Sequence, residues 1–201
     1  LVEDEPSNLP MDAYHVAQEC AGLPLALSLC GAMVKDGDAP WDRVLRHLKA
    51  AELREISKRI DRDYPHLNVL KAIEASIDML KLELLEQYDD HRRTNNYINL
   101  YYQLGVFKSG ARIPEEIIVN YWGDSTEISK DGARGLISKF ANRSLLRTEG
   151  KEPHRRIILH DLQHDYIRAI SNHSPEQHRI LLRPYFCAHR GGFYCFFRPE
   201  R

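Results

Sequence analysis

The stretch from Leu23 to Val34, "LPLALSLCGAMV", limits the folds open to this chain more than any other. Within it only Pro24, Ser28 and Gly31 fall outside the apolar set. A helix apolar nearly all round has no face to offer water, so other helices must be packed about it. Pro24 suits the first turn of that helix, where its missing N–H costs nothing. Gly22 is placed to end the preceding helix, "MDAYHVAQECAG", in a left-handed cap. That helix carries Ala13, Val16, Ala17 and Cys20 on one stripe.

Helical patterns continue downstream. "APWDRVLRHLKAAEL" opens at Pro40 and sets Trp41, Val44, Leu45 and Leu48 on one face. "LNVLKAIEASIDMLKLELL" repeats Leu70, Ile73, Ile77, Leu80 and Leu84 at steps of three and four, the pattern of a long bundle helix. "DDHRRTNN" is polar throughout and reads as a break between two units. Beyond it lie three short helical segments: "NYINLYYQLGVF", stopped near Gly105; "IPEEIIVNYW", with acids in its first turn; and "SKDGARGLISKFANR", with Ala133, Leu136, Ile137 and Phe140 in register. "SLLRT" and "RRIIL" then read as two strands around the turn "EGKEP", and "DLQHDYIRAI" as a closing helix. Three helices and a β-hairpin is the order of a winged helix. The expected fold is therefore mainly α: a helical bundle over residues 1–92, a winged-helix domain over 93–172, and the start of a further helical segment over 173–201.

The composition narrows the function classes. Lys and Arg total 28 against 29 Asp and Glu, a net charge of −1, so the whole surface is no magnet for nucleic acid. No run is long and apolar enough to span a membrane. The four cysteines, Cys20, Cys30, Cys187 and Cys195, imply no disulfide framework, and Cys20 and Cys30 read as small core residues. An intracellular, cytoplasmic setting is expected. The acidic start, "LVEDEPSNLP", has neither the form of a secretion signal nor an initiator Met, and the chain is expected to be a piece of a longer protein.

Two short stretches carry chemistry. In "IILHDLQHDYIRAI" an apolar run ends at His160-Asp161, where a helix begins. A helix N-terminus offers unpaired N–H groups and partial positive charge to an anion, and a neutral imidazole there can donate one N–H to it. The plain alternative is a histidine bonded to backbone beside an aspartate that caps the helix. Asp161 fits the capping role, since a carboxylate facing phosphate would be repelled; it would act by orienting His160. Pro24 is sufficiently explained as a helix starter, and His164 and Asp165 read as a solvated helix face.

These two stretches also carry a likeness. "CAGLPLALSLCGAMV" is similar to the Gly-Leu-Pro-Leu motif that opens the first helical domain of NB-ARC proteins, part of the STAND class of P-loop switches. "LHDLQHDYI" resembles that family's Met-His-Asp motif at the end of its winged helix, with Leu159 in place of the Met. The likeness covers roughly residues 12 to 170 and lies nearest the family's apoptosome-forming branch. It implies that Pro24 packs near the adenine end of a nucleotide and that His160 contacts the diphosphate of ADP, with Gly22, Leu23 and Asp161 supporting the two motifs. It implies an autoinhibited ADP-bound form and an ATP-bound form that self-associates, in programmed cell death or innate immunity. It also implies an upstream P-loop domain in the same chain that holds most of the ADP or ATP and its Mg. No G-x-x-x-x-G-K-[ST] occurs in this sequence, so the segment is expected to be a non-enzymatic lid that neither hydrolyses ATP nor binds nucleotide tightly alone.

Two other readings stand beside this one. Between Lys130 and Arg156 there are eight Lys or Arg against three acids, as a DNA-binding winged helix would need. Against that, the first 34 residues hold five acids and no Lys or Arg, so the basic stretch could instead face an acidic surface of the same molecule. A purely structural adaptor domain is the other alternative. Cys187, His189 and Cys195 match no common zinc spacing.

Overall fold

The computed structural model describes residues 9–35, 39–51, 65–126 and 128–171. The readings of the acidic N-terminus and of the 173–201 tail, with its cysteines and aromatics, lie outside the described residues. The chain divides into two units: one running to Ile98 and including Asn142–Leu145, the other formed by Asn99–Ala141 and the chain from Leu146 onward.

The first unit is a helical bundle. Helix α1 (Met11–Glu19) buries Ala13 and Val16, and Cys20 after it is fully buried. Its C-terminus closes with bonds from the Gly22 N–H to the Ala17 carbonyl (3.2 Å) and from the Ala21 N–H to the Gln18 carbonyl (2.9 Å). This is a Schellman cap, and its left-handed residue is Ala21 (φ +51°), followed by Gly22 at φ +68°. The cap thus lies one residue earlier than expected, because Gly22 donates the outer of the two closing bonds. Helix α2 (Pro24–Val34) starts with Pro24 in its first turn and buries every residue from Leu29 to Met33, as its composition demands. Helix α3 (Trp41–Ala50) buries Val44, Leu45 and Leu48. The 22-residue α4 (Leu67–Tyr88) buries Leu70, Ile73, Ile77, Leu80 and Leu84 among others. Helices α1 and α2 both pack on α3, and α2 and α3 pack on α4.

The segment Asn142–Leu145 completes this unit. Arg143, nearly buried, donates to the Glu83 carboxylate at 2.8 Å, and its carbonyl accepts from the Ser76 hydroxyl at 3.3 Å. Ser28 Oγ donates to Ser144 Oγ at 3.2 Å.

"DDHRRTNN" is not the extended break its polarity suggests. Only Asp89 and Asp90 interrupt the helices, and α5 (His91–Gln103) begins within the polar string. The Asp90 carboxylate accepts from the Arg93 N–H at 3.0 Å, which caps the new helix. Thr94 and Ile98 turn inward, while Arg92 and Arg93 before them and Asn95 and Asn96 between them stay in water.

In the second unit α5 ends in a 3-10 turn (Leu104–Val106), followed by α6 (Glu115–Thr126) and α7 (Lys130–Asn142). Ala133, Leu136, Ile137 and Phe140 of α7 are all buried. Phe140 packs against Tyr101 (ring centroids 5.1 Å apart) and edge-on to Trp122 (6.2 Å). The expected hairpin is present as β2 (Arg147–Glu149) and β3 (Arg156–Ile158). A third strand, β1 (Ile113–Pro114), pairs antiparallel with β3, giving the order β1-β3-β2. It is too short to show periodicity. The winged-helix-like unit closes with α8 (Asp161–Ile170).

Candidate functional site

His160 stands between β3 and α8. Ile157 and Leu159 anchor the strand end in the core, and the backbone of His160 stays extended (φ −68°, ψ 146°) before the helix starts. His160 is itself the N-cap: its Nδ1 accepts from the Leu162 N–H at 3.2 Å, and its own N–H donates to Gln163 Oε1 at 3.0 Å. This is a capping box in which an imidazole takes the place usual for Ser or Thr. The expectation that Asp161 caps the helix is therefore corrected. The extended residue is His160, and Asp161 already has a place in the first turn. The signal was present as Gln163 three residues after His160, but histidine is absent from the usual list of caps.

The cap has a chemical consequence. Nδ1 can accept only while it carries no proton, so the neutral ring holds its proton on Nε2. The ring is exposed, and its Nε2–H is the donor it can offer to a ligand. The Leu162 amide, one of the groups an anion would seek at a helix start, is already taken by the ring.

Asp161 is held from the side. Its Oδ1 accepts from the Ser109 hydroxyl at 2.5 Å, and Gly110 (φ +71°) turns the loop beneath it. A second bond ties the same loop to α8: His164 Nε2 lies 2.7 Å from the Phe107 carbonyl. His164 is 5% exposed, so the expectation of a solvated helix face fails for it and holds for Asp165. One turn of helix places His164 on the inner side, where its ring bonds the Phe107 carbonyl. Ser109 and Gln163 were not singled out from sequence, and His164 was read as exposed, since each acts through a contact set by the tertiary fold or by cap geometry.

Pro24 lies in the first unit at the exposed start of α2, after the half-buried Leu23, which is the N-cap. Leu25 and Leu27 beside it are half-buried. Gly22 and Leu23 complete the turn, and a Cβ on Gly22 would meet nothing within 4 Å. The backbone at φ +68°, rather than crowding, is what favours glycine there.

Four of the eight basic residues from Lys130 to Arg156 are held by carboxylates. Arg134 pairs with Glu116, Arg143 with Glu83, and Arg147 with Glu149. Arg155 grips the buried Glu115 with two donors, one from Nη2 at 2.6 Å. A phosphate backbone would have to compete with these carboxylates. Among the described residues no cluster of His, Cys, Asp and Glu could hold a metal, and no helix is long and apolar enough to cross a membrane.

No family model matches the chain. It is similar to apoptotic protease-activating factor 1 of Homo sapiens, 28% identical over 167 residues and 83% of this chain, and to that of Danio rerio, 29% identical over 178 residues and 88% of this chain. It is also similar to a probable disease resistance protein of Arabidopsis thaliana, 28% identical over 165 residues and 79% of this chain. The chain spans only 12%, 13% and 18% of the length of these relatives, respectively.

Proposed function

We propose, from the premise that this chain is NB-ARC-like, that it forms the regulatory lid of a nucleotide-dependent switch in cell-death or immune signalling. The bundle over 1–92 and the winged helix over 93–172 are the two parts of that lid, and the segment over 173–201 begins the next helical domain. An upstream domain of the same protein supplies the phosphate loop and the Mg ligand. The lid is not an enzyme, and it works in the cytoplasm. The ADP-bound protein is closed and inactive; the ATP-bound protein opens and self-associates.

The observation that supports this reading best is the contact between His160 Nδ1 and the Leu162 N–H. That Nδ1 is committed to the helix cap, so an exposed Nε2–H is left to donate to an anion. What the site offers a diphosphate is one neutral N–H, with the Asp161 carboxylate engaged by Ser109. Pro24, exposed beside half-buried leucines, fits the flat apolar face of an adenine. A hydrogen bond to a charged group contributes about 1.5–3 kcal/mol. Losing it corresponds to a rise in the ADP off-rate of roughly tenfold to a hundredfold.

The decisive variant is His160→Asn in the intact protein. Asparagine is a good N-cap but lacks an outward ring N–H. Release of a fluorescent ADP analogue should quicken about tenfold or more while the melting temperature stays put. An unchanged off-rate removes His160 from the nucleotide site. The DNA-binding reading predicts instead that Arg134 and Lys139 carry affinity, yet Arg134 already spends its charge on Glu116 and Glu115.

A further inference from the structure

Two cysteines flank the turn on which Pro24 sits. Cys20 caps the C-terminus of α1, Cys30 lies in the middle of α2, and both are free thiols. Their sulfurs are 3.5 Å apart in hydrogen-bond contact. Cys20 is 0% and Cys30 1% exposed, so the pair is enclosed by the bundle rather than displayed. Forming a disulfide needs the sulfurs to approach to about 2.05 Å, a movement that side-chain rotation and a small backbone shift can supply. We propose that Cys20 and Cys30 form a reversible thiol–disulfide site that staples α1 to α2 across the Ala21-Gly22-Leu23 turn. This proposal is independent of the nucleotide reading.

The environment sets the order of events. The bond from the Cys30 thiol lowers the Cys20 thiol against the opposing effect of burial, whereas the bond to Cys20 and burial both push Cys30 up. Cys20, at the C-terminal cap of α1 rather than within a helix like Cys30, is the sulfur that reacts first. It also adjoins the exposed Ala21 and Gly22, so local opening of the helix cap admits a small oxidant. With hydrogen peroxide as oxidant, the Cys20 thiolate attacks one peroxide oxygen. The O–O bond breaks, hydroxide leaves and takes up the proton that Cys20 had lost, and a sulfenic acid and water remain. The Cys30 sulfur then attacks the Cys20 sulfur. The S–O bond breaks, and the departing hydroxide takes the Cys30 proton as a second water. Two electrons pass from the thiols to the peroxide, and a dithiol reductant reverses the change.

A staple across so short a loop restricts the unfolded chain and locks the turn, at which both Ala21 and Gly22 hold left-handed backbone. The sequence makes the test direct, because the first Lys or Arg is Lys35 and one tryptic peptide, residues 1–35, holds both cysteines. The whole chain would be treated with hydrogen peroxide, unfolded in an alkylating agent, digested and weighed. The expected result is that peptide lighter by two hydrogen atoms and carrying no alkyl group, with both thiols recovered after dithiothreitol. The oxidised chain should also melt about 5 °C higher than the reduced one. Cys30→Ala should leave Cys20 as a sulfenic acid that a dimedone probe traps. Double alkylation of the 1–35 peptide after peroxide would overturn the proposal. So would a Cys20 sulfinic acid beside a free Cys30, or a bridge from either cysteine to Cys187 or Cys195. None of these measurements on the native chain depends on a variant folding.

Discussion

Ala21 is held at φ +51° by the two closing bonds of its helix, although a side chain in left-handed backbone costs roughly 1 kcal/mol. Ala21→Gly should therefore stabilise the bundle by up to about 1 kcal/mol, and Gly22→Ala should destabilise it by a similar amount. Urea unfolding of the two variants checks both signs. His47 on α3 gives a pH signature. Burial, and then Arg43, hold its pKa below the ordinary value, with Arg46 adding to them and Asp78 opposing. The folded state thus prefers the neutral ring. The contribution of His47 is complete above about pH 6.5 and is lost as the pH falls through the lower folded value. His47→Gln should flatten that part of the stability profile, and an unaltered slope below about pH 6.5 would count against the assignment. Histidine also shows the limit of residue-level reading. His160 and His164 are four apart in one polar-looking motif, yet one is an exposed cap and the other a buried donor to the Phe107 carbonyl. Neither role follows from composition; both depend on where the strand ends and the helix turns.

Elements with a strong apolar period were legible, and those without one were not. The buried faces of α2, α3, α4 and α7 stand where their leucines, isoleucines and valines repeat, because burying that area stabilises the helix more than local propensity does. The start of α5 was hidden because "HRRTNN" places its charges outward and turns only Thr94 inward. Strand β1 was hidden because its two residues take their structure from β3. The same strand feeds directly into α6, where the Glu115 N–H donates to the Arg155 carbonyl at 3.0 Å and the Glu115 side chain grips the Arg155 guanidinium. Helix α6 and the hairpin are thereby joined at a buried carboxylate. Glu115→Ala should cost about 3 kcal/mol, since it strands a partly buried cation. Glu115→Gln, which keeps hydrogen bonding without charge, should cost less. Chemical denaturation of the two variants tests that ordering.

At the scale of the molecule, the chain consists of a helical bundle and a winged-helix-like unit, with one of the two family-like motifs in each. The motifs were legible because each combines a rigid backbone signal, a proline helix start or a strand-to-helix junction, with a short distinctive string. Their joint role is the central proposal, and the 201-residue chain alone should show no saturable ADP binding below about 1 mM by calorimetry. The most direct test is the rate at which the full-length protein releases ADP when His160 is replaced by asparagine and, separately, by leucine. Both replacements should speed release by about tenfold or more, with only leucine lowering the stability of α8, by about 1 kcal/mol. Release at the unsubstituted rate in both variants would contradict the account.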